Sequence, residues 1–234
     1  MSKYLVVNLG LKSIRIIVFN EKGSQVFVNS KPVHSNLRNN RVEQDSKQWE
    51  KNLKDLLLDL KKTPLAKEIK YITSTTSSSC IYGIDKVGKP TTPVMMVSDK
   101  RSMHQVSKIT NLKSYKDSSK KYHYKCSTSS TIPKICWYKE NEPSIYDNTY
   151  KWLGASEFIH HFFTNNFVSD PLNAEKAFYN GQEYDKEIFN NLNIDKSILP
   201  DVVPIGTELN LTKNISTKFN FSENCKFIVT TYDA

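Results

Sequence analysis

The sequence predicts an α/β domain built on a mixed sheet, and three stretches carry that prediction. Residues 4–23, YLVVNLGLKSIRIIVFNEKG, place two apolar strands around a short polar turn, which reads as a hairpin. Residues 25–33 alternate well enough to supply a third strand. Asp45, with Gln48 three residues later and then Trp49, Leu53, Leu56, Leu57 and Leu60, gives a capping box and an apolar stripe at helical spacing, after which residues 68–73 return to strand composition. Three antiparallel strands followed by a helix and another strand exclude a simple helical bundle.

Taken in order, the first turn holds Gly10, Lys12 and Ser13. Backbone N–H groups, a hydroxyl and a cation in one turn suit a phosphate, and an ordinary structural hairpin is the alternative. A polar link through Arg41 leads to the helix, which should end near Lys62 because Pro64 cannot continue it. Ser and Thr fill residues 73–79, predicting an ordered loop whose hydroxyls face a polar ligand or one another. Strands are expected over 81–85 and 92–97, around a turn at 87–90. From Ser102 the pattern weakens, and the lysine-rich residues 108–125, lacking a regular stripe, read as a solvated loop. Pro133 opens a short buried helix over 133–141, which Pro143 stops. Further helices are expected over 156–163, 185–192 and 195–199, and a strand over 226–231. Such an order, with helices flanking the sheet, suits a domain of the ribonuclease H and actin type.

A chain of 234 residues has room for one large domain or two small ones. Its four cysteines form no C-x-x-C pair and its first residues hold too short an apolar run for a signal peptide, so a reducing cytoplasm is the expected location. His123, Cys126 and Cys136 do not have the spacing of a known zinc finger. No apolar run reaches membrane-spanning length. The net charge of +9 raises the question of nucleic acid, but only four of 33 basic residues are arginines, and dispersed lysines serve solubility. No nucleic-acid or membrane partner is expected. The sequons at Asn210 and Asn214 carry little meaning in a chain that is not secreted. Walker-type, H-E-x-x-H and G-x-S-x-G motifs are missing from the sequence. Asp45 and Asp170 read as helix caps. Asp99 and Arg101 follow an apolar strand, where ligand clefts of α/β domains lie, with a structural salt bridge as the equal alternative. Asp233 follows the last strand, a position from which a carboxylate can act as general base.

Seven segments together resemble the N-terminal half of the FGGY carbohydrate kinases, over nearly the whole chain. Asn8 to Arg15 occupies that family's Asp-x-Gly-Thr-x-Ser turn. Val42-Glu43-Gln44-Asp45 with Trp49 resembles its entry to the first helix. Asp85, Gly88-Lys89-Pro90 and Val97-Ser98-Asp99-Lys100-Arg101 resemble its aspartate, Gly-Lys-Pro turn and Trp-x-Asp-x-Arg segment. Pro133, Lys134 and Trp137 match its Pro-Lys-x-x-Trp signature, with Glu140 to Pro143 following. Phe163-Thr164-Asn165 with Asp170, Asn173 and Ala174, then 199–204, and finally Tyr232-Asp233-Ala234 fall in the family's order.

The resemblance implies ATP-dependent phosphoryl transfer to a hydroxyl of a small sugar, polyol or sugar acid, of pentulose type, in a cleft between two actin-like domains. It assigns Asp233 as the base, and Asn8, Gly10, Leu11, Lys12, Ser13 and Arg15 to the phosphates of ATP, with Asn8 reaching magnesium through water. It assigns Ser78, Ser79, Cys80, Val97, Asp99 and Arg101 to the sugar. The chain departs from the family at Asn8 (aspartate there), Leu11 (threonine), Val97 (tryptophan) and Thr231-Tyr232 (glycines). A missing C-terminal nucleotide-binding domain is the expected partner, the isolated chain is expected to be inactive, and a homodimer is left open. Two other readings stand beside it: a non-catalytic sugar-binding or regulatory remnant of such a kinase, and a ribonuclease H-type nuclease, which would need a metal-binding carboxylate where Asn8 stands.

Overall fold

The computed structural model describes residues 2–233. Strands β1 (Lys3–Leu9) and β2 (Ser13–Asn20) form the predicted hairpin, and β3 (Gln25–Pro32) adds antiparallel to β2. Their alternation explains them, because Leu5, Val7, Leu9, Ile14, Ile16 and Val18 are all fully buried. The polar link expected through Arg41 is instead a second hairpin, β4 (Asn36–Arg38) and β5 (Arg41–Gln44). Asn39 turns it at a φ of 52°, a left-handed conformation that asparagine tolerates. Helix α1 (Ser46–Lys61) starts as predicted, with the Asp45 carboxylate accepting the Lys47 N–H at 2.9 Å. The reciprocal capping box does not form, since Asp45 caps the Lys47 N–H and Gln48 Oε1 accepts the His34 N–H at 3.0 Å and so ties the helix to the chain beyond β3.

Strand β6 (Ile69–Thr76) runs three residues further than expected, so half of the Ser/Thr stretch is sheet. β7 (Tyr82–Ile84) and β8 (Val94–Met95) are shorter than their predicted spans. The expected solvated loop is two helices, α2 (Met103–Asn111) and α3 (Lys113–Tyr122). Ile109 and Tyr115 anchor them while Lys108, Lys113, Lys116, Lys120 and Lys121 stay exposed, and so narrow a contact leaves no legible stripe. The chain continues through α4 (Thr131–Asn141), α5 (Pro143–Asn148), β9 (Lys151–Leu153), α6 (Ala155–Thr164), β10 (Val168–Ser169), α7 (Pro171–Glu175) and α8 (Lys186–Leu192). A single 3₁₀ turn, Lys196–Ile198, occupies the next predicted piece, followed by β11 (Asp201–Val202), β12 (Glu208–Asn210), α9 (Lys213–Phe219) and β13 (Lys226–Ile228).

The main sheet has the order β12-β13-β6-β1-β2-β3, with β6 parallel to both β1 and β13 and the remaining pairs antiparallel. Helices α1 and α6 cross it, burying Trp49, Leu53, Phe158, Phe163 and Phe227 in one core. A second core, around Ile135, Trp137, Trp152, Phe178 and Tyr184, lies among the other helices. Parallel β1, β6 and β13 end on the same side of the sheet, where α/β domains hold their ligands. No helix among the described residues is long and apolar enough to cross a membrane.

Candidate functional site

The turn after β1 is held from behind. Gly10 donates its N–H to the Ser13 carbonyl at 3.0 Å, the Lys12 carbonyl accepts the Val33 N–H at 3.0 Å, and the Leu11 carbonyl accepts Gln44 Nε2 at 2.8 Å. With the carbonyls engaged, the N–H groups of Leu11 and Lys12 have no acceptor among the described residues. Leu11 and Lys12 are exposed, and an added Cβ at Gly10 would meet nothing closer than 3.7 Å. The fold therefore does not need glycine here, and the turn presents donors and a cation outward. Asn8 is half-buried and faces Arg15 across the hairpin, and on its other side it pairs with Thr75 of β6.

Asp233 lies at the same end of the sheet. Its N–H donates to the Thr76 carbonyl at 3.0 Å, and its residue is exposed. Thr76 in turn is fixed from below: its hydroxyl meets Ser156 Oγ at 2.7 Å, and Asn173 Nδ2 donates to Ser156 Oγ at 3.2 Å and to Asp170 Oδ2 at 2.6 Å. Asp170 also accepts the N–H groups of Leu172 and Asn173, the capping role expected of it. Tyr232, beside the carboxylate, is turned toward Lys176, whose ammonium lies 5.4 Å from its ring centre. Ala234 lies outside the described residues.

Beside these residues a small cavity of about 30 Å³ is lined by Ser77, Ser79, Cys80, Gly154, Asn173 and Lys176, among others. That volume holds a water rather than a larger ligand. Ser77 is held by its N–H to the Leu9 carbonyl at 2.9 Å, which joins this loop to the β1 turn. Ser78 and Ser79 hydroxyls approach to 3.4 Å. Cys80, which lines the cavity, is itself buried, and burial pushes its thiol pKa up to about 11, so it is neutral.

Asp99 is fully buried and its oxygens are occupied: Val42 donates its N–H at 2.8 Å, and Arg101 donates from its backbone at 3.0 Å and from Nη2 at 2.7 Å. Arg101 Nη2 also reaches Glu43, and its guanidinium lies 5.0 Å over the Trp137 ring. This geometry matches the salt-bridge alternative weighed from the sequence. Val97 is half-buried next to them. Lys134, known from the sequence only as part of a signature, is fully buried and donates to the carbonyls of Ser79 and Met96, the latter at 2.9 Å. A lysine inside the apolar run IPKICWY was the available signal for it. Lys176 and the Thr76–Ser156–Asn173 chain carried no such signal. Among the described residues no three His, Cys, Asp or Glu side chains gather as a metal-holding group, and Cys136 is a buried core thiol.

A mixed sheet with this order, crossed by helices and carrying its polar residues at the ends of β1, β6 and β13, is an α/β domain of the ribonuclease H-like, actin-like ATPase class. The N-terminal domain of the FGGY family of carbohydrate kinases matches residues 3–234, and the chain belongs to that family. The xylulose kinase of Lactococcus lactis is 22% identical over 211 residues, covering 87% of this chain and 42% of that protein. The ligand-bound xylulose kinase of Lactobacillus acidophilus superposes with a TM-score of 0.89 at 18% identity, covering 100% of this chain and 48% of the other. The gluconate kinase of Lactobacillus acidophilus gives a TM-score of 0.89 at 18% identity over 99% of this chain and 48% of its own. The chain thus spans about half the length of these relatives.

Proposed function

We propose that this chain is the sugar-binding lobe of an ATP-dependent carbohydrate kinase that phosphorylates a hydroxyl of a small sugar, polyol or sugar acid of the pentulose type. The observation that carries the proposal is the convergence of the open β1 turn, the Ser77–Ser79 loop and the Asp233 carboxylate at one end of the sheet, linked by the Leu9–Ser77 and Thr76–Asp233 hydrogen bonds. In this reading the substrate hydroxyl lies against Asp233, which takes its proton as the oxygen bonds to the γ-phosphorus of ATP, the bond from that phosphorus to the β-phosphate oxygen breaks and ADP leaves. The turn of Gly10 to Ser13 faces the transferring phosphate with two free N–H groups and the Lys12 ammonium. ATP would supply the phosphoryl group and magnesium would neutralise its charge, most of the nucleotide being held by a second lobe.

The turn fits such a phosphate, because its donors are unengaged and Gly10 leaves its approach clear. Asn8 can hold a magnesium-bound water through its amide oxygen, while Arg15, its partner across the hairpin, adds positive charge to the same strand tip. The sugar would contact Ser78 and Ser79, with the Arg101–Asp99 pair supporting the wall behind Val97. A cytoplasmic location and a second nucleotide-binding domain belong to the same reading.

Phosphoryl transfer from MgATP to D-xylulose, gluconate or glycerol, assayed for this chain alone and joined to a nucleotide-binding FGGY C-terminal domain, tests the proposal. Transfer only in the joined protein is expected. Sugar binding with no transfer in either form would favour the second reading, a non-catalytic sugar-binding protein, for which the neutral amide of Asn8 is the specific argument.

A further inference from the structure

Lys134 is among the largest fully buried side chains of the molecule, and no carboxylate lies within ion-pair distance of its ammonium among the described residues. An unpaired buried cation is costly, so the groups that receive it matter. They are two backbone carbonyls from separate loops, Ser79 after β6 and Met96 after β8. Ser79 has a φ of 68°, a left-handed conformation that a serine adopts only when its surroundings hold it there. The loop is also pinned at both ends, by Ser77 to Leu9 and by Ile81 to Met95, which leaves Ser79 as the residue that absorbs the bend.

We propose that Lys134 is a positioning residue for the polyol subsite: by drawing the Ser79 and Met96 carbonyls onto one ammonium, it holds the loop in the left-handed turn that sets Ser77 and Ser79 on the cavity wall. This rests on the sugar-binding reading of that cavity. Lys134 touches no substrate and acts through Ser79. The burial that isolates it pushes its pKa down to about 8, consistent with an ammonium held by neutral carbonyls. The same helix turn carries Trp137, whose face supports Arg101, so α4 braces both loops from one side.

The test is a double-mutant cycle on the full chain, with Lys134→Met, Ser79→Gly and the pair, read by calorimetric binding of D-xylulose, gluconate and glycerol and by thermal unfolding. Glycine enters the left-handed region freely, so it relieves the need for the lysine. Lys134→Met alone is expected to weaken sugar binding on the order of tenfold, and in the Ser79→Gly background by only about threefold. Equal losses in both backgrounds would overturn the inference, because they assign Lys134 to general core stability. Unchanged affinity in a folded Lys134→Met would overturn it too, as would failure of both lysine variants to fold. If the wild-type chain binds none of the three probes, the sugar reading itself falls, and that outcome is distinct from a flat cycle in a chain that does bind.

Discussion

The backbone N–H of Asp233 donates to the carbonyl of Thr76 at 3.0 Å, which places the last described residue of the chain at the tip of the strand neighbouring β1. That bond anchors the backbone of Asp233 to the β6 residue paired with Leu9, which precedes the open turn of Gly10 to Ser13, and leaves its carboxylate exposed. Because its side chain makes no hydrogen bond among the described residues, replacing it breaks none there.

Asp233→Asn is therefore expected to leave thermal stability and sugar affinity nearly unchanged. In a protein that also carries the nucleotide-binding lobe it should lower turnover by about 10² to 10⁴-fold, the usual contribution of a general base. Calorimetry and steady-state assays give the two quantities separately. Retained turnover would remove Asp233 from the chemistry.

Gly10 offers a cleaner separation of fold from ligand. Its φ is not left-handed and an added Cβ meets nothing within 3.7 Å, so Gly10→Ala should change unfolding free energy by no more than about 0.5 kcal/mol. Lys12→Ala should be equally silent in stability. Both should weaken protection of the linked two-lobe protein by MgATP in a thermal shift assay.

Asp99 should behave in the opposite way. Its carboxylate is fully buried and holds Arg101 and the Val42 N–H, so Asp99→Ala leaves the guanidinium with Glu43 as its one carboxylate partner and strands a backbone donor. A loss of about 3 kcal/mol in urea denaturation is expected. If the loss were confined to sugar affinity, Asp99 would be a ligand contact and not a brace.

His160 gives a pH signature. It is buried in α6, its Nδ1 lies 2.9 Å from the Val168 carbonyl, and burial holds its pKa below the ordinary 6.5. The unfolded chain then binds a proton that the folded chain refuses, so stability is present above about pH 6.5 and is lost as pH falls below it. The Tm should drop between pH 7 and pH 5.5, and His160→Phe should flatten part of that slope. An unchanged slope would assign it to other groups.

Much of this was legible in the sequence, for physical reasons that differ by residue. The β1–β2 hairpin and α1 were readable because one face of each is predominantly apolar, and Asp45 and Asp170 because a cap is a local interaction. The α2–α3 pair was not, since Ile109 and Tyr115 are single anchors in a polar stretch and their burial depends on the distant Ile135 and Phe178. The β4–β5 hairpin was missed because its strands are short and its turn rests on Asn39 in place of glycine. At the site, the turn and Asp233 stood out as strand-end residues. Lys134 and the Thr76–Ser156–Asn173 chain did not, because their partners are backbone groups and hydroxyls brought together only by the fold.

The most direct measurement is calorimetric titration of the chain with D-xylulose, gluconate and glycerol at low and at moderate salt. Saturable binding of at least one of them, insensitive to salt, is the expected result for a sugar-binding lobe. Absence of binding to all three, together with tight association with DNA that weakens steeply as salt rises, would contradict it.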